Sequence, residues 1–342
     1  MARVRSRRLR LLESLRRTIN EMLHNRVQRA AGAKGRCLPV NTSMIYTSAS
    51  REAPELLNQL LLVHQRVAEP DASEGRLVVA DVYQGLADVP RGAIRQLRLV
   101  GVPVKTHPTM NHPPMGLTHD DPGKFVLGTV PVEPDGSAHF RVPAGVTFFV
   151  QALDEQGVAV QTMRSATYVQ PGQTVTCIGC HEPRNTAPPN RPPLAAVRAP
   201  SRIEPGPGGS WPLHFDALVG PVLEQHCVRC HQRDEDASIL DLAAERAYDA
   251  LVDYGQPSLR THVLERYRQG RSPAGAGAAQ QSPLAALLRQ GHHGVRLDAD
   301  AWSRLFTWMD TYGQRRGSFS PEQEELLRQL RDRLAATAGI AP

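Results

Sequence analysis

Aromatic residues make up only 5% of this 342-residue sequence, and apolar residues nowhere run on for long. The longest uncharged apolar stretch, residues 145–153, is far shorter than the roughly 18 residues of a membrane span. Basic residues are also lacking over most of the chain, because residues 1–36 carry a net charge of +9 and the other 306 carry −3. With neither a basic face nor stacking aromatics, the sequence does not fit a nucleic-acid-binding protein.

Cysteine is scarce, but its placement is informative. Of the five cysteines, four lie in two copies of the pattern C-x-x-C-H, at residues 177–181 and 227–231. The composition predicts roughly 0.003 such patterns by chance, so two copies are not accidental. Cys37 stands alone in the basic N-terminal stretch and is interpreted as a free thiol.

The pattern C-x-x-C-H is typical of covalent c-type haem attachment, in which the two thiols bond to the haem and the histidine binds its iron. Zinc binding by the four cysteines is an alternative, but the pairs are further apart than in common zinc modules. Redox-active or structural disulfides are a third possibility, which would leave both histidines unexplained. The sequence therefore predicts two covalently bound c-type haems.

Six residues follow directly from the two motifs. We expect thioether bonds at the four cysteines and iron ligation by the two histidines, namely Cys177, Cys180, Cys227, Cys230, His181 and His231. For the second haem, the sixth ligand is sought among His292 and His293, in a glycine-flanked loop, and Met309. Met309 lies on the apolar stripe of a predicted helix, which favours core packing over ligation.

The sixth ligand of the first haem is left open by the sequence. Candidates in a proline-rich loop and on strands are His107, Met110, His112, Met115, His119, His139 and Met163. An open sixth position is an equal alternative, and it would make this haem the reactive one.

The hydrophobic pattern changes along the chain and predicts a multidomain β + α protein. Residues 1–75 form a basic N-terminal extension, partly helical or disordered, whose first 36 residues could lie on an anionic membrane surface. Residues 76–182 predict an antiparallel β-sandwich or barrel-like domain carrying one haem. Nine prolines mark 183–212 as a semi-rigid linker, and residues 213–342 predict an all-α cytochrome c domain.

Individual elements follow from alternating or helical periods bounded by turn residues. Seven strands are predicted, at 77–83, 94–102, 124–132, 138–142, 146–153, 158–163 and 174–177. Helices are predicted at 215–227, 240–254, 257–268, 283–289 and 299–312. A last helix opens at Ser320 with Pro at its first position and a capping-box Gln323.

At the motifs and their flanks, the chain resembles the hydrazine synthase alpha subunit family. The middle-domain resemblance rests on PVEPDGSAHFRVPAG at 131–145, QALD at 151–154, QTMRS at 161–165 and CIGCHE at 177–182. The resemblance to the C-terminal cytochrome c domain rests on PVL at 221–223, HCVRCH at 226–231 and GHHGV at 291–295. It covers about residues 76–316 and implies a distal histidine in the last of these segments, for which we favour His292.

Two departures from the family bear on activity. The family begins with a β-propeller, and residues 1–75 do not repeat and cannot form one. The first haem of the family takes a tyrosine four residues after the motif histidine, which itself serves a zinc ion. Here that position is Asn185, so we expect His181 to bind its own iron and do not expect hydrazine synthesis.

Three classes of function are compatible with these features. The leading hypothesis is a dihaem c-type cytochrome that transfers electrons to a redox partner protein or to other subunits of a complex. The alternatives are a haem-dependent oxidoreductase with catalysis at the first haem, and a non-redox binding module. Haem attachment to cysteine pairs implies a periplasmic or otherwise extracytoplasmic protein. No secretory signal opens the chain, so we expect a truncated or misassigned start.

Overall fold

The computed structural model describes residues 69, 71–104, 113–180, 192–232 and 240–338, which belong to one compact unit. The predicted N-terminal helix, Cys37, His107, Met110, His112, His181 and Asn185 lie outside the described residues. No described helix is long and apolar enough to cross a membrane.

Seven strands form two sheets. The strands are β1 Glu74–Val79, β2 Gln96–Gly101, β3 Phe125–Pro131, β4 Ala138–Pro143, β5 Phe148–Leu153, β6 Ala159–Thr162 and β7 Thr174–Cys177. One sheet has the order β4-β1-β7 and the other β3-β2-β5-β6. Each observed strand lies within, or within a few residues of, one of the seven strand segments predicted from the sequence.

The pairing of β1 with β7 is parallel, with Val79 opposite Cys177, whereas every other strand pair is antiparallel. The predicted all-antiparallel arrangement is wrong at this pair. A parallel pair needs a long crossover, and here most of the β region lies between the two strands. Single-strand periodicity does not distinguish the two directions.

The two sheets share one apolar core. Leu77 of β1 and Phe140 of β4 are buried together with Leu97 of β2, Phe125 of β3 and Phe148 of β5. Burying such side chains stabilises a fold by about 1.5–3 kcal/mol each before entropy is counted. This core is the β layer that the alternating pattern predicts.

In the described part of the chain, seven α-helices follow the β region. They are α1 Phe215–Leu218, α2 Gly220–His226, α3 Ala244–Val252, α4 Leu259–Gln269, α5 Pro283–Gln290, α6 Ala299–Asp310 and α7 Pro321–Ala338. The mixed β + α fold class is confirmed. The single helix predicted over 215–227 is wrong in one respect, since it is divided at Val219. Pro221 has no N–H to continue the first helix, which explains the division.

A second apolar core lies among the helices. Phe215 packs edge-on against Tyr248, with ring centroids 5.2 Å apart, and contacts Trp308 at the same distance. Val126 of β3 and Val158 before β6 also belong to this core. In return, Leu327 and Leu334 of α7 belong to the β core. Each core therefore contains side chains from both the β region and the helices.

The proline-rich segment before α1 runs along the sheets over its described part, residues 192–212. Ser201 exchanges backbone hydrogen bonds with β4, through His139 and Arg141. Glu204 does the same with Thr129 of β3, at 2.8 Å in both directions. Proline content predicts a stiff segment but gives no indication of this pairing.

A buried polar group fixes α6 to the β region. Asp310, 2% exposed, accepts hydrogen bonds from Ala159 N at 2.8 Å and from Ala279 N at 2.9 Å. Its backbone carbonyl accepts a bond of 2.8 Å from Gln151 of β5, which in turn accepts from the guanidinium of Arg98 on β2. Burial raises the pKa of Asp310 to about 6, against the opposing effect of Arg98.

This raised pKa predicts how stability depends on pH. The unfolded carboxyl ionises near 3.8 and the folded one near 6, so the unfolded state releases its proton first and stability falls between these values. The unfolding free energy of the native protein relative to Asp310→Asn should fall by roughly 3 kcal/mol from pH 4 to pH 7. Urea titrations at several pH values measure it. A pH-independent difference would contradict the assignment.

Candidate functional site

The second motif forms one tight turn at the end of α2. Cys227 N bonds to Leu223 O at 2.8 Å, which continues the helical pattern into the motif. The carbonyl of Cys227 then accepts bonds from Cys230 N at 3.1 Å and His231 N at 3.0 Å. Both thiols and the imidazole therefore come from a single backbone turn, the spacing that covalent haem attachment requires.

One backbone carbonyl fixes the tautomer of His231. The Nδ1 atom lies 2.8 Å from the carbonyl oxygen of Leu240, and a carbonyl can only accept, so Nδ1 carries the proton. Nε2 of the neutral ring is then the nitrogen with a lone pair. Metal-bound histidines commonly donate their other ring nitrogen to a carbonyl in this way.

His292 lies at the start of a tight turn facing His231. Val295 N bonds to His292 O at 2.9 Å, and His293 and Gly294 have φ values of 46° and 77°, as a type I′ turn requires. The ring centroids of His231 and His292 are 5.8 Å apart, with 31° between the ring planes. Two imidazoles on opposite sides of one metal ion, each about 2 Å from it, have centres about 6 Å apart.

The electrostatics at His292 favour its neutral ring. Burial lowers the pKa of His292, and the neighbouring rings of His293 and His231 lower it further. The neutral form is the one that binds metal ions. Burial raises the pKa of the Cys227 thiol, and the neighbouring Cys230 raises it further. This thiol is therefore held in its protonated form.

The other two candidates for the sixth ligand lie elsewhere. His293 is exposed and stacks edge-on against His292, with centroids 4.6 Å apart. Met309 is 1% exposed within the helical core. The sequence correctly predicts that it lies on the apolar face of its helix.

Partly buried apolar side chains pack against the helical core, and they include Cys227 and Val228 of the second motif, Leu240 after it, and Leu288 and Trp302 further along the chain. Half-exposed apolar surface of this kind is what a bound porphyrin would cover. The residues present therefore fit a haem in their donor set and in their apolar surroundings.

The first motif begins on the last residue of β7. Cys177 O accepts a bond of 2.9 Å from Ala80 N, and Ile178 O accepts one of 3.0 Å from Asp81 N. These bonds hold the turn between the cysteines against the segment that follows β1. Gly179 lies so close to it that an added Cβ would stand 2.5 Å from the Cβ of Gln84 and 2.6 Å from its carbonyl oxygen.

The described candidates for the sixth ligand of the first haem lie in different surroundings. Met115 is 2% exposed, and His119 is exposed. Nδ1 of His139 lies 3.3 Å from Ala195 O. Met163 lines a cavity described below. None of these observations selects a ligand for this haem, so the choice remains a prediction.

The four motif cysteines do not converge on one centre. Among the described residues, no group of three or more His, Cys, Asp or Glu side chains could hold a metal ion. A zinc site built from both cysteine pairs would require such a group. This observation favours the haem interpretation over the zinc alternative.

Two parts of the sites were missed by sequence reasoning. The carbonyl of Leu240 orients His231, and residues 80–84 support the first motif. A carbonyl leaves no trace in a sequence, since every residue has one. Gly179, between Cys177 and Cys180, could have indicated that another segment of backbone lies very close to this turn.

The comparisons agree with this geometry. Residues 92–182 match the family described as the hydrazine synthase alpha subunit middle domain, which includes most of the β region and the whole first motif. A solved structure entitled Kuenenia stuttgartiensis hydrazine synthase is similar over 72% of this chain, with 16% identity and a TM-score of 0.50. At this identity the likeness concerns the fold. A comparison with curated proteins gave no match.

The fold and the motifs thus define a mixed β + α protein with two C-x-x-C-H sequences. Residues 92–182 match the hydrazine synthase alpha subunit middle domain, and the resemblance found in the sequence is confirmed over this part of the chain. The whole chain spans only 43% of the solved chain that it matches.

The close approach at Gly179 generates a prediction for the first motif. In Gly179→Ala, the methyl group would collide with the backbone of residues 81–84, so the turn between the cysteines must shift. We expect a loss of about 1–3 kcal/mol in unfolding free energy and a reduced haem content at this motif.

The matched control is Gly220→Ala, because nothing lies within 4 Å of an added Cβ at that glycine. Denaturant unfolding and haem absorbance per chain measure both effects. Equal behaviour of the two variants would show that the turn does not depend on this contact.

Proposed function

We propose that the protein is a dihaem c-type cytochrome that transfers electrons. The observation that carries the proposal is the pairing of His231 and His292, whose ring centroids are 5.8 Å apart while His231 is oriented by Leu240 O. Covalent attachment at Cys227 and Cys230 would hold the same haem. The first haem would be attached at Cys177 and Cys180, with His181 as its ligand.

Each part of the chain has a distinct task in this proposal. A bound haem supplies one-electron chemistry at its iron. The Leu240 carbonyl holds the proton on Nδ1 of His231 and thereby keeps Nε2 available for the metal. The His292 turn would supply the second imidazole. Two strong nitrogen ligands leave no open position, which suits electron transfer rather than binding of a substrate.

Location and partners follow from the same chemistry. Haem is attached to cysteine pairs outside the cytoplasm, so the protein should work in the periplasm or an equivalent compartment. An electron-transfer protein needs a redox partner, and the matched family is named for a subunit of a larger enzyme. We therefore expect a redox partner protein or further subunits of a larger complex.

Haem stoichiometry is the first test. The exported protein should contain two haems per chain that resist acid-acetone extraction, because each motif supplies two thioether bonds. A pyridine haemochrome assay on the denatured protein measures this number. Replacing both Cys227 and Cys230 by Ala should leave one covalent haem; extractable haem in the native sequence would contradict the proposal.

Ligand substitution tests the second centre. His292→Ala should open the sixth position, so that the reduced protein binds carbon monoxide while its thioether bonds remain. His293→Asn is the matched control, since asparagine tolerates the positive φ at that position. Absorbance with and without carbon monoxide distinguishes them. Carbon monoxide binding in the control and not in His292→Ala would assign the ligand to His293.

Met309→Leu completes this series. Because Met309 is buried in the helical core, the substitution should leave the spectrum unchanged and cost less than about 1.5 kcal/mol. Loss of a charge-transfer band near ~695 nm in this variant would instead identify a methionine-ligated iron.

A further inference from the structure

A cavity of about 320 Å³ lies where the four-stranded sheet meets α4 and the end of α6. This volume is at the lower end of the range for small-molecule sites, about 300–1,000 Å³. Among the described residues that line it, none belongs to either cysteine motif or to the His292 turn. The cavity is therefore distinct from the described parts of both motifs.

The polar side of the cavity is built on a buried ion pair. The side chains of Lys124 and Asp121 are 3% and 6% exposed, and the Lys124 ammonium donates to Asp121 Oδ1 and to Gln314 Oε1. An ammonium group has three donors, so one N–H of Lys124 remains. Asp121 Oδ2 is buried with no hydrogen-bond partner within the described structure.

Arg266 of α4 supplies a second unused donor. Its Nε atom is buried and has no hydrogen-bond partner in the described part of the chain. One of its terminal nitrogens lies 4.0 Å from Glu265, a contact that leaves Nε unengaged. A buried N–H without a partner destabilises the protein, and a ligand that accepts a hydrogen bond from it would remove this cost.

The remaining walls are apolar and contain one strained residue. Phe149 and Val263 are 8% and 2% exposed, and Met163 lies beside them. Tyr312 has a φ of 70°, in the left-handed region that a residue of this type rarely adopts. Strained residues of this kind are concentrated at binding sites.

The charges around the cavity favour an anion. Lys124, Arg266 and the exposed Arg164 provide three positive groups, against Asp120 and Asp121. Asp121 is neutralised by Lys124, and Asp120 accepts a hydrogen bond from Tyr267. We propose that this cavity binds a small organic carboxylate, with its charged end at Lys124 and Arg266 and its apolar body against Phe149 and Val263.

The first experiment compares three probes of similar shape on the full-length haem-loaded protein. Benzoate, neutral benzamide and cationic benzylamine are titrated by calorimetry at low salt. Benzoate should bind at least tenfold more tightly than benzylamine, with benzamide between them. Preference for benzylamine, or no binding of benzoate at millimolar concentration, would overturn the proposal.

A pair of variants locates the site. Arg266→Leu should weaken benzoate binding at least fivefold, while Arg268→Leu, an exposed position on the same helix, should leave it unchanged. Equal effects of both variants would show attraction to general surface charge and overturn the assignment. The probe series on the native protein decides the question even if a variant folds poorly. Haem content and spectra are expected to stay constant, which separates this test from that of the proposed function.

Discussion

The carboxyl group of Asp310 is the interaction on which the arrangement of the described structure most depends. Its two oxygens accept from Ala159, next to β6, and from Ala279, before α5. Its carbonyl is held by Gln151 of the central sheet. One residue at the end of α6 thus joins three parts of the chain in a buried region, where lost hydrogen bonds are costly.

The two candidate haem sites are supported in different ways. The second motif is held by helical hydrogen bonds from α2 and by the Leu240 carbonyl, so its orientation depends on short-range contacts. The first motif is held by residues 80 and 81, about a hundred positions earlier in the sequence. It therefore depends on correct pairing of β1 with β7. This difference follows from the topology, and it makes the first site the more sensitive one to changes elsewhere in the sheet.

Much of the fold could be predicted because its determinants are local. The seven described strands are short apolar runs between turn residues, and the helices carry apolar stripes. The parallel pairing of β1 and β7 could not be predicted, since it depends on which distant strands meet. Of the second site, the motif residues and the His292 region were accessible from spacing and resemblance. The role of the Leu240 carbonyl could not be predicted, because every residue has such a carbonyl and only its position in the fold gives it this role. The ligand cavity likewise arises from segments that converge only in three dimensions.

The packing of α7 on the β core has a consequence for biosynthesis. Leu327 and Leu334 fill that core, and the Leu327 carbonyl accepts the indole N–H of Trp211 at 3.0 Å. A ribosome delivers the chain from its N-terminus, so the β region emerges long before the helix that completes its interior. Until α7 has been synthesised, part of the apolar surface of the sheets therefore lacks the side chains that cover it. Cys177 and Cys180 also precede α7 in the chain, so they are synthesised before this core can close.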